Sequence, residues 1–389
     1  MLQDNFDREL CGKLRNLVSS TNIFWKDKQE KTYYNHLCAM MDRVDESMGY
    51  ILNHTEVPKT NDDFILFMMH TCVVKDSIKK VMGLLGLTYD KFVKDMPGYL
   101  TAFCNQTPFD ESIKLTDDTI FNYLRSISFA HPLETEKNYI TREILHAKHC
   151  SPFVMLDRGI CYHGNVGVFV YSDTSEHSIA MQISYSDLLN YAYSRYSLIK
   201  YIIEELNNRL RSKEEKWKQR KVVNTADPLL RLEDIKSILE ERYIETYDID
   251  IMISLLTCKY TRQENDKNVK FVQEELIKRI PTICDAIDDM DIEAAYQIYK
   301  DILYSRPSKM HQNAHYELEK IFCYLNEDTR YIDQEFGKNM ARWFAKGFAS
   351  DWVVMDIDNM SFEEIQMLTR IACFMEKQKQ DKQREIKTE

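Results

Sequence analysis

Glycine and proline are scarce, ten and eight residues in a chain of 389. Few tight turns can form, so the sequence predicts long helices. The scarcity also removes the glycine-rich phosphate loops: Gly164-Asn165-Val166-Gly167 fits neither a P-loop nor a dinucleotide turn. There is no Gly-x-Ser-x-Gly elbow for a serine hydrolase. The ten cysteines contain no Cys-x-x-Cys pair, which excludes a zinc ribbon and a dithiol redox motif. They read as reduced thiols of a cytosolic protein. The most apolar stretch, Phe64 to Leu87, is interrupted by Lys75, Asp76, Lys79 and Lys80, too many charges for a membrane span. The first residues show no signal-peptide pattern. The expectation is a soluble, cytoplasmic chain with no membrane partner.

What is abundant is acid, and it is unevenly placed. The net charge is −11. Residues 1–150 carry 18 basic and 21 acidic side chains, residues 151–225 carry 10 and 8, and residues 226–389 carry 23 and 33. The excess therefore sits in the last third, which argues against a general nucleic-acid coat. A local basic groove in the first two segments stays open.

Hydropathy predicts a mainly α fold with three parts. Residues 1–150 read as a helical bundle, with helices near 5–19, 29–53, 62–86, 117–131 and 137–149. Leu37, Met40, Met41, Val44, Met48 and Ile51 recur at helical spacing, and Asn61-Asp62-Asp63 offers a start signal. In residues 151–225, the segments Phe153–Leu156, Val166–Tyr171 and Ile179–Ile183 read as a small three-stranded antiparallel β-meander. A long helix over about 185–221 follows. Its end carries Arg209, Arg211, Lys213, Lys216, Lys218, Arg220 and Lys221, either a solvated helix terminus helped by the dipole or a phosphate-binding face for RNA. Residues 226–389 read as an all-α module for partner recognition, sensing or dimerisation. Its helices are expected near 231–243, 248–259, 266–286, 291–304, 310–325, 329–348 and 361–380.

One segment pairs an arginine with a histidine: Arg125-Ser126-Ile127-Ser128-Phe129-Ala130-His131, on a helix opened by Thr116-Asp117-Asp118 and ended by Pro132. An imidazole moves protons near neutral pH, and a guanidinium keeps its charge and suits a phosphate. This stretch resembles the signature of the HEPN superfamily: an arginine, four to six residues, then a histidine, with a polar residue commonly after the arginine, here Ser126. The resemblance reaches residues 1–150. It implies a metal-independent endoribonuclease of toxin or antiviral-defence type, with no cofactor. In that reading His131 moves the proton of the RNA 2′-hydroxyl or of the leaving 5′-oxygen, and Arg125 stabilises the charged phosphorane. Ser126 orients the phosphate or the arginine. The resemblance also implies a homodimer. The competing reading is a non-enzymatic helical scaffold with a decayed HEPN core that binds RNA or a protein partner.

Arg142–His149, Arg158–His163 and Arg306–His311 fit the bare pattern too. Arg142 is the second candidate; Arg158 adjoins a strand turn and Arg306 precedes Pro307. Six residues of ideal helix rotate by about 600°, which separates Arg125 and His131 on the helix surface. His131 shares the phase of Ile120, Leu124 and Ile127, so partial burial is expected. A helix-end histidine beside a surface ion pair of Arg125 is the plain alternative. His146, His149 and Cys150 with Cys161 and His163 are the best metal-ligand types, but the spacing is not a zinc pattern, and no metal is expected. His311 and His315 lack the glutamate of a zincin, since Gln312 stands there. Asp285, Asp288, Asp289, Asp291 and Glu293 read as a helix connection with capping carboxylates.

Overall fold

The computed structural model describes residues 7–100, 116–133, 149–152, 154–156, 165–172, 179–307 and 311–388. It is mainly α with a small antiparallel sheet in the middle of the chain and helices throughout the C-terminal part. The chain divides into two compact units, Met1–Arg211 and Ser212–Glu389, with the boundary inside one helix. The expected middle part, 151–225, does not stand by itself. Its sheet and helices share the first unit's core, and residues beyond Arg211 fall in the second.

In the first unit the helices are α1 Leu10–Ser19, α2 Ile23–Lys26, α3 Lys31–Asn53, α4 Asn61–Leu84, α5 Tyr89–Lys94 and α6 Asp117–Arg125, followed after the strands by α7 Tyr185–Tyr196 and α8 Ile199–Gln219. The α3 stripe is buried as its spacing predicts, from Leu37 to Ile51. The cap of α4 is Thr60 rather than the Asn61–Asp63 run. The Thr60 hydroxyl accepts from the Asp63 N–H at 3.2 Å and the Asp63 carboxylate accepts from the Thr60 N–H at 3.2 Å, a reciprocal capping box. The helix expected over 185–221 is two helices, because the chain breaks at Ser197–Leu198.

The sheet has β1 His149–Cys150, β2 Val154–Leu156, β3 Val166–Ser172 and β4 Ile179–Ile183. All pairing is antiparallel and β3 is central. β1 pairs with the end of β3, where Cys150 is opposite Tyr171, and β2 pairs with its start, where Val154 is opposite Val168. Val154, Leu156, Val166, Val168 and Val170 bury one continuous core with the helices of this unit. The expected helix at 137–149 ends instead in strand β1 at His149, its remainder lying outside the described residues.

The second unit is helical: α9 Pro228–Glu241, α10 Tyr247–Thr257, α11 Asp266–Asp288, α12 Ile292–Leu303, α13 Gln312–Tyr324, α14 Tyr331–Lys346 and α15 Phe362–Thr388. The acidic cluster is the α11–α12 connection. Asp291 caps α12 by accepting from the Ala294 N–H at 2.8 Å, and Met290 takes a left-handed φ of 62° between the helices. Among the described residues no helix is long and apolar enough to cross a membrane.

Candidate functional site

The site starts from α4 and α6. Thr116 caps α6 through the Thr119 N–H, and Ile120, Phe121, Leu124 and Ile127 bury its apolar face. At Arg125 the α-helix ends, but the winding continues. Ser126–Ala130 form a π-helical turn, closed by the His131 N–H donating to the Ser126 carbonyl at 2.8 Å. Such turns are rare and recur at functional sites. At His131 the backbone turns to φ −142°, ψ 57° and leaves the helix before Pro132. The imidazole is exposed. The expected partial burial fails because the wider turn and the unwinding take His131 off the stripe of Ile120, Leu124 and Ile127, which stays buried.

Arg125 is half-buried, and its charge acts on the Cys72 thiol of α4. Burial raises the Cys72 thiol, while the charges of Lys75 and Arg125 pull the other way. Lys75 is only 4% exposed. Its ammonium donates to Asn122 Oδ1 at 2.5 Å, pairs with Asp76 at 3.2 Å and lies 5.5 Å from the centre of the Phe121 ring. Ser126 is half-buried one residue after Arg125, and its carbonyl is the acceptor that closes the π turn. The Ser128 hydroxyl inside that turn is buried without a hydrogen-bond partner.

Sequence reasoning missed Lys75. Its signal was available: it falls on the buried phase of α4 with Phe67, Met68, Thr71, Val74 and Ile78. It also missed the polar knot behind α6. Asp118 accepts from Arg195 Nε at 2.8 Å, Tyr191 Oη at 2.8 Å and Tyr89 Oη at 2.9 Å. Burial pushes the Asp118 carboxyl up, but Arg195 and the three hydrogen bonds outweigh it and hold it below the ordinary value of 3.8. Asp117 accepts the Tyr99 and Leu100 N–H groups, each at 2.9 Å. This knot fixes the α6 start to α7 and to the chain after α5, and so sets the position from which the π turn departs.

The other sequence matches separate from this site. His149 is fully buried, its Nδ1 2.7 Å from Tyr123 Oη, which removes it from contact with a substrate in this structure. Arg142, Arg158, His146, Cys161 and His163 lie outside the described residues. His149 and Cys150 are adjacent in β1 and point to opposite faces, and no group of metal-ligating side chains forms among the described residues. Arg306, His311 and His315 line a cavity of about 1200 Å³ in the second unit. There His311 Nε2 is 3.6 Å from buried Glu376, which also accepts from Trp352 Nε1 at 3.1 Å.

The basic run is not one face. Arg209 pairs with Glu205 at 2.8 Å, donates to the Leu85 carbonyl at 2.7 Å and stacks over Tyr33. Arg220 is paired with Asp234 through both terminal nitrogens. Lys221 donates to the Asp288 carbonyl at 2.9 Å. Arg211, Lys216 and Lys218 are exposed, with Glu214 and Glu215 exposed between them, and Lys213 is half-buried. Compared with protein-family models, curated proteins and solved structures, the chain finds no match.

Proposed function

We infer that the first unit is a metal-independent endoribonuclease whose site is the α4–α6 edge. One observation carries the reading: a π-helical turn sits between Arg125 and His131, exposing the imidazole one turn beyond a half-buried guanidinium. Lys75, buried on α4 and hydrogen-bonded to Asn122 of α6, helps to hold the two helices together behind that turn. Arg125 binds the scissile phosphodiester and stabilises the pentacoordinate phosphorane. His131 takes the proton of the 2′-hydroxyl as that oxygen attacks phosphorus. The P–O5′ bond breaks and the 5′-oxygen takes up a proton, giving a 2′,3′-cyclic phosphate and a 5′-hydroxyl. Ser126, next to Arg125, orients phosphate or guanidinium. A defence or toxin role rests on the HEPN resemblance alone.

The test is cleavage of total RNA and tRNA by the full chain in EDTA, beside Arg125→Ala and His131→Ala. The reading expects cutting by the wild type and a loss of about 10²–10⁴-fold in each variant. Cutting retained in both variants overturns it.

A second reading, the RNA-binding or partner-binding scaffold, draws on the basic run. Three of its seven cations, Arg209, Arg220 and Lys221, are committed to contacts within the chain. Arg211, Lys216 and Lys218 stay exposed, but Glu214 and Glu215 stand between them, so the run offers a strand a mixed rather than a basic surface. RNA retention without cleavage by the wild type selects this reading.

A further inference from the structure

Helix α14 buries Gly337, Met340, Ala341 and Phe344 in the second unit's core. Beside that face runs a second apolar stripe that the described residues leave largely open: Ile332 is 80% exposed, Phe336, edge-on to Tyr324, 39%, and Trp343 60%. Their spacing of four and seven residues puts them on one line. Tyr331, at 73% exposure, extends the patch at its start. Three of the four are aromatic, the class enriched where proteins meet, and an exposed tryptophan in a contiguous apolar patch marks an interaction surface.

The charges along α14 say what covers it. Its first turns carry Asp333 and Glu335, Lys338 sits at its middle, and its C-terminal half carries Arg342 and Lys346. Glu335 and Arg342 are seven residues apart on the same edge of the stripe. A helix that is acidic at one end and basic at the other complements a reversed copy of itself, and a twofold axis brings such copies together. We propose that α14 is an isologous interface between two copies of this chain, packed antiparallel, with Ile332 of each copy against Trp343 of the other. In that arrangement the edge bearing Glu335 meets the same edge of the second copy, and each Glu335 lies beside the opposing Arg342. Within the chain Glu335 lies 3.2 Å from half-buried Lys338, and Arg342 pairs with exposed Asp358 and donates to exposed Asn339. These are partly solvated pairs, so exchanging them across an interface costs little.

The test is the mass of the full chain by light scattering over a rising concentration series, with circular dichroism to check folding. The wild type is expected to approach twice the monomer mass. Ile332→Glu with Trp343→Glu is expected to stay monomeric with unchanged helicity, since both side chains are exposed. Glu335→Arg alone and Arg342→Glu alone should each shift the series toward monomer, and the double reversal should restore the dimer. That restoration separates the interface from the intrachain pairs, which are lost in the double variant as well. A wild type that is monomeric at high micromolar concentration overturns the proposal. So does a dimer indifferent to the Ile332 and Trp343 changes. Failure of the double reversal to restore association overturns the antiparallel arrangement.

Discussion

Arg195 shows how single residues hold the scaffold on which the site depends. Its guanidinium is 1% exposed and is compensated by Asp118, with Tyr191 under its face at 4.4 Å. Removing one partner of a buried pair strands the other charge, which costs about 3–5 kcal/mol. Asp118→Ala is therefore expected to lower stability by that order in a denaturant melt. Asp118→Ala combined with Arg195→Leu should recover part of the loss. The pH dependence has a fixed sign. The Asp118 pKa is depressed in the folded state, so its contribution is full above the unfolded carboxylate value of about 4 and is lost as pH falls through the lower folded value. The stability gap between the wild type and Asp118→Asn should narrow below about pH 4 and stay constant from there to neutrality. Lys75 teaches the complementary lesson. Read for membrane spans, it was only a charge that broke an apolar run; read for helical phase, it lies on the buried stripe. Its pairing with Asn122 was not legible, because 47 residues separate them.

Elements divide into those that local sequence dictates and those that it does not. The Leu37–Ile51 stripe and the three strands at Val154, Val166 and Ile179 were legible because burial imposes a period that a single chain displays. The π turn was not. It differs from an α-helix by the winding of a few residues, which no composition or period marks. Yet that winding decides where His131 points. Deleting Ser128 removes one residue from the turn, and its hydroxyl has no partner to lose. The deletion is expected to preserve helicity and to turn His131 by about 100° relative to Arg125. Cleavage should then fall as far as it does in His131→Ala, measured on the same RNA. In the second unit, a Cβ at Gly337 would meet Leu325 Cδ2 at 2.9 Å and Tyr324 Cβ at 3.0 Å. That close approach locks α14 to the end of α13, and Gly337→Ala should destabilise the chain by about 1–3 kcal/mol through overpacking, read as a lower melting temperature.

At the scale of the whole molecule, the chain is acidic, and its excess lies beyond residue 225. In the proposed reading, the first unit holds RNA with few, well-placed cations, Arg125 first among them, rather than with a basic surface. The salt dependence of binding should then be shallow, a slope reflecting about one or two phosphate contacts rather than the many of a coating protein. The composition made the acidic third legible, but not the two-unit division: the sheet carries apolar residues that looked like a separate part and instead complete the first unit's core. The measurement that reaches the central claim most directly is single-turnover cleavage in EDTA of a defined RNA and of the same strand with a 2′-deoxy group at the cut site. The account predicts cutting of the first to a 2′,3′-cyclic phosphate, no cutting of the second, and neither reaction with His131→Ala. Cleavage of the deoxy strand, or undiminished cleavage by His131→Ala, would contradict it.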